Sequence, residues 1–241
     1  MKTYVFVMMI VILAVASGCG TRTETKTSPA AINPASSGWQ EDFGLSDRRL
    51  VPTGRNPYFI LEPGFQLTLE SDNEKLIITV LDETVKIGTT ETRVVEEREW
   101  KNGELTEVSR NYFAICPETK DVFYFGEEVD DYKNGKMVGH GGAWRADQPG
   151  SRPGLIMPGI PKQGMKYCQE IAPGVAMDRA EVVSLTESLE TPAGTFDHCL
   201  KTREGSALNP LEKEFKIYAP GIGLLKEGEM LLTKYGFVEE R

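Results

Sequence analysis

The chain offers few side chains that could act as a catalytic base, because it contains only two histidines, His140 and His198. A Ser–His–Asp arrangement needs a histidine within hydrogen-bond reach of its nucleophile, and the sequence has no Gly-x-Ser-x-Gly turn to present one. His198 precedes Cys199, but neighbouring residues on a strand point to opposite faces, so this pair forms no dyad by itself. We therefore predict no catalytic residue.

Contact with a ligand is a weaker requirement. His140 lies in the segment Gly139-His140-Gly141-Gly142, where glycines let the backbone approach a ligand closely, although the same glycines suit the end of a hairpin. Zinc needs three or four ligands at suitable spacing, and two separated histidines without a Cys-x-x-Cys pair do not supply them. We predict no metal and no cofactor. The candidates for ligand contact are His140, Trp144, Tyr124 and Met157.

Two acidic clusters could bind calcium or perform acid–base chemistry. One occupies residues 127–131, and it lacks the alternate spacing and the glycine of an EF-hand loop. The other consists of Glu96, Glu97 and Glu99. So many carboxylates single out no pair for glycoside hydrolysis. We predict that both clusters form the solvated faces of hairpins.

The elements that position these residues are strands joined by tight turns. Asn102-Gly103 and Asn134-Gly135 both supply the positive φ angles of a type I′ hairpin turn. The runs 76–81 and 122–125 are apolar on both faces, which favours a sheet that encloses side chains or a ligand. The predicted strands cover 76–81, 91–100, 105–116, 121–126, 128–133, 136–141, 166–171, 180–190, 195–204, 212–218 and 223–234.

Proline and glycine interrupt this pattern at residues 145–165, which contain four of each. Proline lacks the N–H that a strand ladder uses, so we predict a long ordered loop here, packed down as a flap by its apolar residues. The fold class is therefore predicted to be all-β. We expect an antiparallel meander that forms a curled sheet, an open barrel or a sandwich, with a Pro/Gly-rich flap.

The N-terminal residues carry a separate signal. Lys2, an uncharged apolar stretch at 4–15 and the residues Ala16-Ser17-Gly18-Cys19 resemble the signal peptide and lipobox of bacterial lipoproteins. The resemblance implies a signal peptide at 1–18, palmitate or another acyl chain on Cys19, and anchorage in the lipid bilayer of the cell envelope. Gly20 rather than aspartate follows the cysteine, which implies the outer membrane, facing the periplasm, if the source is Gram-negative.

Residues 19–55 are rich in small and polar residues and are predicted to form a flexible tether, followed by a single β-rich domain at 56–241. The formal net charge of −9 disfavours a nucleic-acid partner. With Cys19 modified, three cysteines remain at positions 116, 168 and 199. One disulfide with one free thiol, or three free thiols, satisfies that number.

Several segments of the domain resemble a family of exported bacterial proteins that has no assigned activity. The segments are Phe125-Gly126-Glu127-Glu128-Val129, residues 173–181, residues 191–196 and residues 218–224. Related chains carry cysteine at the positions of Cys116 and Cys199, so the resemblance implies this pair as the disulfide candidate. At the level of architecture alone, the predicted fold is also similar to periplasmic lipoprotein carriers, whose curled sheets hold acyl chains.

Together these observations lead us to expect a membrane-anchored, non-catalytic lipoprotein of the cell envelope that binds an apolar or amphiphilic ligand. Such a protein needs an internal cavity. An interaction module of an envelope complex would instead present a contiguous exposed apolar patch. A hydrolase with an unrecognised site would show a pocket with convergent polar groups and perturbed pKa values.

Overall fold

A computed structural model describes residues 38–238, and this part of the chain is almost all-β. One 3-10 turn covers Leu45–Asp47. The strands are β1 (Gly54–Asn56), β2 (Phe59–Leu61), β3 (Phe65–Glu70), β4 (Glu74–Ile87), β5 (Thr90–Lys101), β6 (Glu104–Ile115), β7 (Val122–Lys133), β8 (Lys136–Gly139), β9 (Trp144–Arg145), β10 (Arg152–Met157), β11 (Lys166–Cys168), β12 (Glu170–Ile171), β13 (Asp178–Thr191), β14 (Gly194–Ser206), β15 (Glu214–Ala219), β16 (Gly223–Glu227) and β17 (Met230–Phe237).

Strands β3 to β17 form one antiparallel sheet, and β1 and β2 form a separate two-stranded sheet. Around the main sheet the order is β11-β13-β14-β15-β16-β17-β3-β4-β5-β6-β7-β10-β12, with β8 and β9 also paired to β7. The sheet is nearly closed into a barrel and leaves an unsealed seam. The prediction of an all-β antiparallel fold is confirmed, and among the predicted curled sheet, open barrel and sandwich the structure is a nearly closed barrel.

The two Asn-Gly turns form as the sequence predicts. Asn102 and Gly103 have φ angles of 51° and 81° between β5 and β6. Asn134 and Gly135 have φ angles of 52° and 71° between β7 and β8. Both residues of each turn therefore occupy the left-handed region that a type I′ turn requires. These turns set the pairing register, which places Lys101 opposite Glu104 and Lys133 opposite Lys136.

The predicted loop at 145–165 is partly wrong, because residues 152–157 form β10 within it. Pro153 is the second residue of this strand, and it precedes Gly154, where the pairing with β7 begins. Beside it, Gly154 allows close contact, since a Cβ there would lie 2.2 Å from the carbonyl oxygen of Gln169. The loop character remains around Ile160, which is 75% exposed.

The single strand predicted at 223–234 is also wrong. Gly228 adopts a φ of 53°, and the chain reverses there so that Glu227 pairs with Met230. The segment therefore forms the hairpin of β16 and β17. A glycine with positive φ breaks an apolar run into two strands without an Asn-Gly signature.

One short segment serves both edges of the sheet at the seam. Residues 166–168 pair with β13 at one edge, and residues 170–171 pair with β10 at the other. Gln169 lies between them and donates its backbone N–H to the carbonyl of Asp178 at 2.7 Å. The free side of β11 is occupied by Gln40, which exchanges backbone hydrogen bonds with Lys166 and Cys168 at 3.0 and 2.9 Å. Covalent continuity thus holds the two edges together.

Residues 38–51 pack against the barrel, although the sequence predicts a flexible tether up to residue 55. Phe43 is 6% exposed and its ring lies 5.8 Å from that of Phe123 on β7. Arg48 pairs with Asp121 at 2.7 Å, and Val51 exchanges backbone hydrogen bonds with Ile115 at 2.9 Å. The folded part therefore starts before residue 56, because apolar side chains in this segment cover the outer face of β7. The predicted tether at 19–37 lies outside the described residues.

The unit Ser37–Arg241 is compact by its own contacts. Phe43 tests whether the segment before β1 contributes to its stability. We expect Phe43→Ala to lower the free energy of unfolding by about 3 kcal/mol, since it removes a buried ring that touches the core. Leu45→Ala, on the same segment and only half-buried, is the matched control and should cost about 1 kcal/mol. Urea unfolding measures both, and an equal, small effect of the two variants would show that this segment is dispensable.

Candidate functional site

A cavity of about 480 Å³ lies inside the barrel. Strands β2 to β7, β10 and β12 to β16 all contribute lining residues, so the cavity is surrounded by the sheet rather than carved into its surface. Val175 and Gly142 line it and are also exposed, which places them at its mouth. The volume falls within the range of ligand-binding cavities in proteins.

One half of the cavity is apolar. Its lining comes from the two-stranded sheet, from β3 to β6, from β10 and from β16 with the turn before it. The residues are Phe59, Ile60, Phe65, Leu67, Ile78, Val80, Val95, Phe113, Ile156, Ile222 and Leu224. This half would take an alkyl chain or a ring, because burying apolar ligand surface here removes it from water.

Strand β5 carries the change from apolar to acidic lining. Val95, Glu97 and Glu99 alternate along it and share its inner face. Val95 pairs with Val80 on β4, whereas Glu99 pairs with Glu107 on β6. Along β5 the lining therefore changes from apolar at Val95 to acidic at Glu99, with Glu97 between them opposite Ile78 of β4.

The acidic half gathers carboxylates from seven strands. They are Glu97, Glu99, Glu107, Glu127, Glu170, Asp178, Glu204 and Glu227. The prediction that Glu97, Glu99 and Glu127 form solvated hairpin faces is wrong. The alternation with Val95 carries the signal that sequence reasoning missed, because Glu97 and Glu99 share the face of an apolar residue.

Lys216 on β15 is the basic residue of the described lining, and two carboxylates hold its ammonium. Its Nζ lies 2.6 Å from Glu227 Oε1 and 3.7 Å from Glu204 Oε2. Burial alone would lower the pKa of Lys216, but the charges of Glu227 and Glu204 raise it well above its ordinary value. The ammonium therefore stays charged and its charge is already compensated.

Three other carboxyl groups have pKa values that their surroundings raise to the neutral range. Burial, together with the charge of Glu227, raises the pKa of Glu97 to about 8. Burial and the charge of Glu107 raise the pKa of Glu99 to about 7. Burial raises the pKa of Glu127 to about 7, against the hydrogen bond from Tyr124 that lowers it. At neutral pH the acidic half therefore holds a mixture of carboxylic acids and carboxylates.

A polar network links β6 and β7 in the wall of the cavity. The Tyr124 hydroxyl lies within hydrogen-bond distance of Asn111 Oδ1, and it lies 3.1 Å from Glu127 Oε2. The Asn111 amide donates to Ser109 Oγ at 3.2 Å. These bonds orient the Tyr124 ring against Phe113, with the ring centroids 4.7 Å apart. The network thus presents an aromatic face to the apolar half and a carboxylate to the acidic half.

Of the four residues predicted to contact a ligand, one lines the cavity, one packs behind it and two lie elsewhere. Tyr124 lines the cavity. Trp144 lies directly behind it, in an edge contact at 5.4 Å, and donates its indole N–H to Glu170 Oε1 at 3.3 Å. His140 has a side chain that is 60% exposed and bonds the Val129 carbonyl, so it lies away from the cavity. Met157 is buried in the core and does not line the cavity.

The cysteines do not support the predicted disulfide. Cys116, Cys168 and Cys199 are buried free thiols in this structure. Cys116 follows β6 and Cys199 lies on β14, which are not neighbouring strands. His198 is exposed with a φ of 56° while Cys199 is buried, so the two side chains are separated as the sequence predicts. Cys19, the predicted lipidation site, lies outside the described residues.

Within residues 38–238, no three or more histidine, cysteine or acidic side chains are arranged to hold a metal ion. The described part also has no helix with the length and apolarity needed to cross a membrane. Fold and cavity together define the class of this protein, which is an all-β protein whose nearly closed sheet encloses an amphiphilic cavity.

Comparison with known proteins adds one structural likeness. The chain is similar to a "putative lipoprotein" from Parabacteroides distasonis ATCC 8503, whose crystal structure was solved at 2.70 Å. The match has a TM-score of 0.36 and 13% sequence identity, and it covers 76% of this chain and 100% of that chain. A likeness at this level carries no argument about ligand or activity. No protein-family model and no curated protein matches the sequence.

The raised pKa of Glu97 predicts a stability that depends on pH. Its folded pKa of about 8 exceeds the ordinary value of 4.5, so the folded protein holds a proton that the unfolded chain releases. The unfavourable contribution of Glu97 therefore grows as the pH rises from 4.5 to 8. We expect Glu97→Gln to stabilise the fold by about 2 kcal/mol at pH 8, a value reduced for screening by cavity water, and hardly at all at pH 4.5.

Urea unfolding at the two pH values measures this difference. Glu83→Gln, an exposed position on β4, is the matched control and should change stability equally at both. If Glu97→Gln were neutral at pH 8, its carboxyl group would not be buried in the way described.

Proposed function

We propose that this protein is a membrane-anchored lipoprotein of the cell envelope whose barrel interior binds an amphiphilic ligand without converting it chemically. The observation that carries the proposal is the cavity of about 480 Å³ with one apolar half and one acidic half. A packed barrel of this size would fill its interior with side chains. An amphiphile matches both halves at once, because its chain contacts Ile78 and Val95 while its polar end meets the carboxylates.

The anchoring part of the proposal rests on the sequence. An apolar stretch at 4–15 and the residues Ala16-Ser17-Gly18-Cys19 resemble a lipoprotein signal. Acyl chains on Cys19 would hold the barrel at a membrane, with residues 20–37 as the connection. Gly20 favours the outer membrane, facing the periplasm, in a Gram-negative cell.

The first experiment is native mass spectrometry of the chain from residue 37 onward, purified without detergent from the envelope of its own cells. A reproducible mass excess that organic solvent releases would support a bound amphiphile and identify its chemical class. A bare mass would count against the proposal. The alternative function, an interaction module of an envelope complex, would then be favoured. Crosslinking in cells would identify its partners.

Filling the apolar half predicts a loss of binding. Ile78 points into the cavity and Ile77 points to the opposite face of β4. We expect Ile78→Trp to weaken binding of the fluorescent apolar probe N-phenyl-1-naphthylamine about tenfold or more, because the indole occupies the site. Ile77→Trp, the matched control, should bind the probe like the parent protein. Unchanged binding by Ile78→Trp would place the probe, and the proposed site, elsewhere.

The anchor predicts a labelling result in cells. A chain expressed in bacteria with an alkyne analogue of palmitate should carry the label and sediment with membranes. Cys19→Ser should remove the label and release the protein into the soluble envelope fraction or leave its signal uncleaved. Cys116→Ser controls for a thiol inside the barrel, and it should keep both the label and the membrane fraction. Label on the Cys19→Ser protein would contradict the assignment.

A further inference from the structure

The acidic half of the cavity has far more negative than positive side chains. Its described lining includes eight carboxyl groups and one lysine. That lysine, Lys216, already forms ion pairs with Glu227 and Glu204. Glu97, Glu99 and Glu107 form no ion pair and accept no side-chain hydrogen bond from any described residue. Their surroundings therefore leave a negative site without a cation of its own.

One neutral side chain gives an independent indication that something polar is bound here. Gln169 is 3% exposed and lines the cavity, and its side-chain amide has no hydrogen-bond partner among the described residues. Leaving such a group unpaired in a protein interior costs free energy, so water or a ligand in the cavity is expected to bond to it.

We propose that the acidic half binds a cationic head group, a primary ammonium, of an amphiphile whose apolar chain lies in the other half of the cavity. This inference rests on the proposed function, since it names the chemical class of the same ligand. The head group lies between Glu97 and Glu99 on β5 and Glu227 on β16, since the charge of Glu227 acts on both of the other two.

The charges in the acidic half disfavour anionic and neutral head groups relative to an ammonium. An anion would meet several carboxylates and only one ammonium, whose charge Glu227 and Glu204 already balance. A neutral head group could bond to the carboxyls but would not offset their mutual repulsion. An ammonium does both, because a charge-assisted hydrogen bond to a carboxylate is about twice as strong as a neutral one. The surrounding protein also strengthens the attraction relative to water.

The proposal predicts a dependence of binding on pH. The charged groups that face Glu97 are Glu99 on its own strand, Glu127 on β7, Lys216 on β15 and Glu227 on β16. A bound cation favours the ionised form of these carboxyl groups. Its binding therefore releases protons near neutral pH, and its affinity falls as the pH drops and the carboxyls become protonated.

The test compares decylammonium, decanol and decanoate, which share one chain length and differ in head-group charge. Each displaces N-phenyl-1-naphthylamine from the chain beginning at residue 37, at pH 8 and about 0.15 M salt to screen the surface charge. We expect decylammonium to bind about tenfold tighter than decanol, with decanoate weakest. At pH 5.5 the preference for the cation over decanol should shrink severalfold.

The double variant Glu97→Gln/Glu99→Gln should lose the preference for decylammonium and keep its affinity for decanol. It remains folded on our reasoning, since Glu97→Gln removes a destabilising buried carboxyl group. Glu83→Gln/Glu104→Gln removes the same charge from exposed positions and should leave the preference intact. If the two double variants behave alike, the cation is held by overall charge and the head-group inference is overturned.

The remaining outcomes separate the two proposals. If decanol or decanoate binds as tightly as decylammonium, the inference about the head group fails while the amphiphile-binding function stands. If the probe binds and none of the three compounds displaces it, the proposed function itself fails for single-chain amphiphiles. Butylammonium, with the same head group and a short chain, should bind far more weakly, and equal binding would overturn the need for an apolar chain.

Discussion

Burying a carboxylate away from water costs several kcal/mol unless a cation, a hydrogen-bond donor or water compensates it, and this cost governs the interior of the barrel. At Glu227 and Glu204 the ammonium of Lys216 offsets this cost by forming an ion pair with each carboxylate. At Glu127 and Glu170 the donors are the hydroxyl of Tyr124 and the indole of Trp144. These donors offset only part of the cost, which appears as the raised pKa values of Glu97, Glu99, Glu127 and Glu170.

A barrel with carboxyl groups in its interior must be stabilised by contacts elsewhere, and these lie in the sheet and on its outer face. Residues 166–171 hold both edges of the sheet in one continuous piece of backbone, and Gln40 occupies the free side of β11. Phe43 packs on the outer face of β7 through Phe123. The apolar outer contacts offset the unfavourable electrostatics inside, which is the usual relation between a stable scaffold and a strained site.

Local sequence patterns were sufficient where a few residues decide the conformation. Asn102-Gly103 and Asn134-Gly135 form the hairpins that their positive φ preference predicts, and the all-β class follows from the spacing of such turns. Local patterns were insufficient where residues distant in the sequence determine the conformation of a segment. Proline and glycine at 145–165 predict a loop, but pairing with β7 and β12 makes residues 152–157 a strand. Small and polar residues at 19–55 predict a flexible tether, but Phe43 of that segment packs on the outer face of β7.

The sequence by itself determined the alternation along each strand, and so it already placed Glu97 and Glu99 on the same face as Val95. It could not determine whether that face meets water or the interior, because periodicity is the same in both cases. Closure of the sheet decided this, since it brings β5 within reach of β15 and β16, more than a hundred residues away in the chain. The excess of negative charge in the cavity is therefore a property of the tertiary structure alone.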